Sequence, residues 1–166
     1  MTEHPLITVA REALEAYPRS YTPPELPEPY RAPRGVFVTL RKHGQLRGCI
    51  GHLAPTQRTL AEEVAAVAVA AGHQDSRFPP VSRDELPELE YEVSLLTPPE
   101  PTTRDQLDPR RYGVIVSSGW RRGVLLPDLD GVDTVDEQIA ICRRKAGIGP
   151  HEPITLERFQ VVKVSQ

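Results

Sequence analysis

Cysteine is nearly absent from this chain of 166 residues: Cys49 and Cys142 stand far apart and in no metal-ligand spacing. Neither a disulfide framework nor a cysteine-held zinc site is therefore expected, and two free thiols suit a reducing, cytoplasmic setting. Lysine is also scarce, since 17 of the 20 basic residues are arginine, a bias we read as genome composition or heat adaptation. There is no excess of positive charge: the formal net charge is -3 and the pI is near 6.0. A field that draws nucleic acid non-specifically is excluded on that count. The start, "MTEHPLITVAREALEAYP", has neither a basic opening nor a long apolar run, so no signal peptide or transmembrane helix is expected. The phosphate-binding, dinucleotide and Gly-x-Ser-x-Gly motifs are missing, and "RRGVLLPDLDGVD" does not fit a calcium loop. No cofactor and no metal are expected.

What is present is a globular composition, 39% hydrophobic and 26% charged, in a length that suits a single domain spanning 1–166. Leu6, Ala10, Ala13, Leu14 and Tyr17 share one face at helical spacing, which predicts a first amphipathic helix over 4–17. Six prolines between residues 18 and 33 then predict an extended, proline-rich tether over about 18–34 within the domain. "GVFVTLRKHGQLRGCIG" alternates and is broken at His43-Gly44, predicting a β-hairpin over about 35–51.

Capping boxes open three further segments: Thr59 with Glu62 ahead of a helix rich in alanine and valine, Ser82 with Glu85 ahead of a short helical turn, and Thr134 with Glu137 ahead of a last helix stopped by Gly147. "LEYEVSLL" alternates as a half-buried strand. "YGVIVSS" and "RGVLLP" form a hairpin around Ser118-Gly119-Trp120, and "ITLERFQVVKVS" closes the chain as one strand. Strands in adjacent pairs rather than strict βαβ alternation predict an α+β fold, with a mostly antiparallel or mixed sheet flanked by about three helices.

The segment with most chemistry in it is "LRGCIG", Leu46–Gly51. On a strand, Leu46, Gly48 and Ile50 share one face, turned inward, and Arg47, Cys49 and Gly51 share the other. An arginine beside a cysteine stabilises the thiolate, which makes Cys49 a candidate nucleophile with Arg47 as its activator. Gly48 and Gly51 bare the backbone on either side of the thiol, where N–H groups can bind a ligand oxygen. The competing reading is that Cys49 packs as a small hydrophobe and the glycines make room for a helix or a bulge. Cys142, on the inner face of the last helix, is read as core.

His52 and His73 are candidate bases. In "DSRFPP", Asp75 and Arg77 either hold an anion or pair with each other, while Phe78 either stacks on a ring or plugs the core. Glu90 and Glu92 are carboxylates on the wet face of a strand, and Glu92 is kept as a candidate site residue.

"PRGVFVTLRKHGQLRGCIG", "DSRFPPVSRDELPELEYEVSLLTPP", "GVLLPDL" and "CRRKAGI" occur in an order and spacing that resemble the AMMECR-domain family, whose microbial members are also called protein A of the AmmeMemoRadiSam system. The likeness covers nearly the whole chain, and Leu46–Gly51 match the family signature; Ser76 departs where a proline is expected, and so do Gly72-His73 ahead of the acid. The resemblance implies an α+β fold of a larger and a smaller subdomain with the signature lining a cleft between them, and association with a Memo-type protein and a radical S-adenosylmethionine (radical SAM) protein. It points to Arg47, Gly48, Cys49 and Gly51 as the site, with "DSRFPP" as a second matching segment, and supplies no reaction. The expectation is a protein that works with partners and presents Cys49 and Arg47 to a small anionic or nucleotide-like ligand; the alternative is a non-catalytic adaptor in which the motif is structural.

Overall fold

The computed structural model describes residues 2–166, which form two compact units: one runs to Leu96 and takes in Val162–Gln166, and the other spans Thr97–Val161. In the first unit, α1 (Pro5–Ala16) and α2 (Leu60–His73) pack on one another, α1 against β3 (Leu89–Leu96) and α2 against β1 (Val36–Lys42) and β2 (Gln45–His52). The sheet runs β2-β1-β3-β8, with β8 at Val161–Ser165, and β1 lies antiparallel to both its neighbours. Val36, Val38 and Leu40 on β1 meet Val64, Val67, Ala68 and Ala71 of α2 in one buried core. Such alternation on the strand and small side chains on the helix let a helix lie flat on a sheet.

The second unit holds the sheet β4-β7-β5-β6, formed by Glu100–Pro101, Thr155–Phe159, Gly113–Ser118 and Arg121–Leu125, all paired antiparallel, with α3 (Val135–Ala146) on β5 and β6. Cys142 is fully buried in its core, as its helical spacing predicted, and burial pushes its thiol up to about 11. The α+β class, the antiparallel pairing and the three helices follow the sequence.

Local signals were accurate. The Thr59 and Thr134 hydroxyls accept from the backbone N–H groups of Glu62 and Glu137, the Ser82–Glu85 box is complete ahead of a 3-10 helix at Arg83–Glu88, and Gly147 ends α3 in the left-handed region. Three expectations are corrected. "ITLERFQVVKVS" is two strands broken at Gln160, and they belong to different sheets. Tyr17 lies beyond the end of α1, 43% exposed, its ring 4.3 Å from that of His73. Leu46 is 42% exposed, not inward.

One buried carboxyl group is structural. Glu63, fully buried in the first turn of α2, accepts from Thr56 Oγ1 at 2.7 Å and from the backbone N–H groups of Thr56 and Gln57, the latter at 3.0 Å. Truncation strands donors that helix geometry cannot satisfy. Glu63→Ala is expected to cost about 3 kcal/mol and to lower the melting temperature by roughly 6–12 °C, measured by circular dichroism against wild type.

Candidate functional site

The hairpin β1–β2 turns at His43 and Gly44, both at positive φ, which suits the twist of the paired strands. Its register then slips: Arg41 faces Leu46, but Leu40 faces Gly48, so Arg47 is the extra residue of a β-bulge. Alternation therefore holds from Gly48 onward and inverts before it. Leu46 falls on the face of Arg41, and Arg47 leaves the face of Cys49.

Gly48 lies against α2. A Cβ at that position would stand 2.2 Å from the carbonyl oxygen of Ala71, so only glycine lets the helix backbone come this near the strand. Gly51 is crowded in the same way by Phe37, whose Cγ would be 2.3 Å from an added Cβ. Both glycines make room for neighbours, which was the structural alternative read from the sequence.

Cys49 faces Thr39 across the strands, and Thr39 in turn faces Glu92 on β3, so the three form one row on the sheet face opposite Val38 and Leu40. The Cys49 Sγ lies 3.3 Å from Thr39 Oγ1, and Glu92 accepts from Arg41 at 3.3 Å. The thiol is half-buried. β2 is one of the two outer strands, and at Cys49 its backbone groups are taken by the "DSRFPP" loop. The Cys49 N–H donates to Asp75 Oδ2 at 2.9 Å, and Arg77 Nη2 donates to the Cys49 carbonyl at 3.5 Å. This N–H is committed and is not available to a ligand oxygen.

Asp75 and Arg77 are themselves joined twice, Nε to Oδ1 at 2.9 Å and Nη2 to Oδ2 at 2.7 Å. The guanidinium, and then the two backbone N–H groups that Asp75 accepts, hold its carboxyl far below the usual range, and the same pairing raises Arg77. The arginine bonded to residue 49 is thus Arg77, not Arg47.

Arg47 pairs instead with Glu85, Nε to Oε1 at 2.8 Å and Nη2 to Oε2 at 3.1 Å, with side chains only 12% and 16% exposed. That pair, helped by the Ser82 N–H and then Lys42, draws the Glu85 carboxyl down to about 2. Arg47 Nη1 is buried with no hydrogen-bond partner among the described residues. Phe78 has two guanidiniums near its ring, Arg47 Cζ at 6.0 Å and Arg77 Cζ at 5.4 Å from its centroid. It belongs to this cluster and not to the core. The charge of Arg47 also reaches His73, whose pKa burial first, and that charge second, push down.

Neither histidine meets the thiol. His52 faces Val36, on the opposite side of β2 from Cys49, and His73 stacks on Tyr17. The structure brings Cys49, Asp75 and Arg77 together, pairs Arg47 with Glu85, and places Phe78 near both arginines. Glu92 joins the thiol's row only through Thr39. Sequence reasoning missed Thr39 and gave Glu85 no role beyond its capping box, although that box was the signal. Among the described residues no group of three or more His, Cys, Asp or Glu could hold a metal ion, and no helix is long and apolar enough to cross a membrane.

The family model AMMECR1 matches residues 7–164. The chain belongs to the AMMECR1 family. A Thermotoga maritima protein is 48% identical over 171 residues, covering 96% of each chain. A Clostridium acetobutylicum protein is 44% identical over 165 residues; the match takes in 96% of this chain and 35% of that one, so the AMMECR1 region spans about a third of that longer polypeptide. The crystal structure of an uncharacterized protein from Pyrococcus horikoshii superposes with a TM-score of 0.80 at 33% identity, covering 95% of this chain and 88% of that one. This chain and that protein therefore share one fold.

Proposed function

We propose that this AMMECR1-family protein binds a small anionic, nucleotide-like ligand at Arg47, Arg77 and Phe78, presents the Cys49 thiol beside it, and does so for partner proteins. The observation that carries the reading is the buried, unpartnered Nη1 of Arg47 in a cluster of two guanidiniums and a phenyl ring. A buried donor with no acceptor costs roughly 1–3 kcal/mol, which an anionic oxygen would return as a charge-assisted hydrogen bond. Arg77, 56% exposed while its other edge is fixed by Asp75, offers a flat cation on which a planar ring can stack.

Cys49 has a hydroxyl neighbour and no contacting histidine, so its chemistry in this reading is that of a thiol meeting a bound ligand, without a Cys-His base pair. The partners in the proposal are a Memo-type protein and a radical SAM protein, as the family resemblance implies. The longer Clostridium relative supports work beside another polypeptide segment.

Titration calorimetry with AMP, adenosine and pyrophosphate, together with iodoacetamide labelling, tests this. Cys142 is fully buried and stays silent in the labelling. Saturable binding of AMP that slows Cys49 labelling and is lost in Arg77→Gln/Phe78→Ala is the expected result. No saturable heat from any of the three probes up to millimolar concentration, with labelling unchanged, overturns it.

A second reading, a non-catalytic adaptor with a structural motif, is favoured by Gly48 under Ala71 and by the commitment of the Cys49 backbone to Asp75 and Arg77. Under that reading Cys49→Ser and Cys49→Ala keep wild-type function wherever they keep the fold.

A further inference from the structure

One cavity on this protein lies away from "LRGCIG" and has no part in the proposed ligand site. It is a groove of about 810 Å³ between the proline-rich tether and α2. The tether runs antiparallel to the helix. The Tyr17 ring meets His73 at the C-terminal end of α2, and the Leu60 N–H donates to the Arg31 carbonyl at the N-terminal end. The floor is Ala13, Ala65, Ala66 and Val69, and the wall is Tyr21, Pro23 and Pro24. Short side chains on the helix, opposite proline rings that cannot collapse onto them, leave the gap.

The polar lining is sorted by sign along the groove. Arg19 sits at the end that follows Tyr17, and no carboxylate pairs with it among the described residues. Glu25 and Glu62 lie toward the other end with Gln57 and Thr59. Glu25 has only an exposed contact with Arg31 at 3.4 Å, which holds it weakly. From Val69 to Thr59 the helix advances about 15 Å, the span of about five residues of extended chain.

We propose that this groove docks an extended segment of a protein partner that carries an acidic residue against Arg19, two or three apolar residues along the alanine floor, and a basic residue against Glu25 and Glu62. The charge order fixes which end of the occupant is acidic and which is basic, and the methyl floor fixes its middle as apolar.

The test is nuclear magnetic resonance titration of the isotopically labelled full chain with two synthetic peptides, Gly-Glu-Leu-Ala-Leu-Lys-Gly and Gly-Lys-Leu-Ala-Leu-Glu-Gly, and a control in which Gln replaces both charged residues. The expected result is saturable shifts at Thr22, Ala65, Ala66 and Val69 with one charged peptide, weaker by roughly tenfold for the control and for Arg19→Glu. Arg19 is exposed, so that variant folds, which its unshifted spectrum elsewhere verifies. Three outcomes overturn the proposal: no groove shifts with either peptide, equal shifts with all three peptides, or groove shifts that grow with protein concentration alone and so report a second copy. Groove shifts with decanoate but not with the peptides overturn it in favour of a small amphiphile. Failure of AMP binding leaves this outcome unaffected, because the two sites share no residue.

Discussion

Gly48→Ala is expected to be the most damaging conservative change in the hairpin, with a loss of about 3 kcal/mol and a melting temperature lower by roughly 6–12 °C. The added methyl would stand 2.2 Å from the Ala71 carbonyl oxygen, an atom of helix backbone that no rotamer change can move. Either α2 lifts from β2 or β2 bends, and both expose the contacts that Val64, Val67 and Ala71 make with β1. Gly123 on β6 provides an internal comparison, since its Cβ would stand 2.1 Å from the carbonyl oxygen of Cys142 on α3. Gly123→Ala should cost about as much. Thermal melts of both variants check the argument; a Gly48→Ala protein that melts with wild type and keeps its Cys49 labelling rate would show that the helix is free to retreat.

Arg47→Met is expected to lose about 2 kcal/mol at pH 7, less than a fully buried pair would, because Lys42 still reaches Glu85 at 3.2 Å. The pH dependence separates charge from packing. Glu85 has its carboxyl lowered from 4.5 to about 2 in the folded protein. The unfolded chain therefore takes up this proton first as acid is added. Its contribution is present in full above about pH 4.5 and is lost as the pH falls toward about 2. Chemical denaturation at pH 7 and pH 3 should show wild type losing more stability between the two than Arg47→Met loses, with the remaining slope carried partly by Asp75. An equal loss in both proteins would mean that Arg47 does not govern this carboxylate.

How much of this was legible in the sequence depended on whether the signal was local. Caps, turns and the alternation of "LEYEVSLL" involve residues a few positions apart, and they stand where the pattern put them except at Ser94, expected on the wet face but buried with Val93, Leu95 and Leu96. The bulge at Arg47 has no such signature. A hairpin closed by His43-Gly44 without a bulge would set Cys49 opposite Val38 on the core side; the slip sets it opposite Thr39. Simple alternation placed Cys49 outward correctly and Arg47 beside it wrongly, because one extra residue reverses the facing of everything before it. The pairing of Arg47 with Glu85 spans 38 positions and that of Cys49 with Asp75 spans 26, separations at which sequence pattern carries no information. "DSRFPP" was correctly marked as chemistry-bearing, but its hold on residue 49 is a tertiary fact.

The hold of Asp75 and Arg77 on Cys49 has a bearing on solubility. An outer strand with bare amides and carbonyls invites another chain to pair with it, which is how native sheets begin to aggregate. Here a carboxylate and a guanidinium from one short loop occupy the amide and the carbonyl at the middle of the outer strand, and they carry charge where an incoming strand would have to lie. The loop that fixes the thiol also keeps β2 from serving as a template for its own kind.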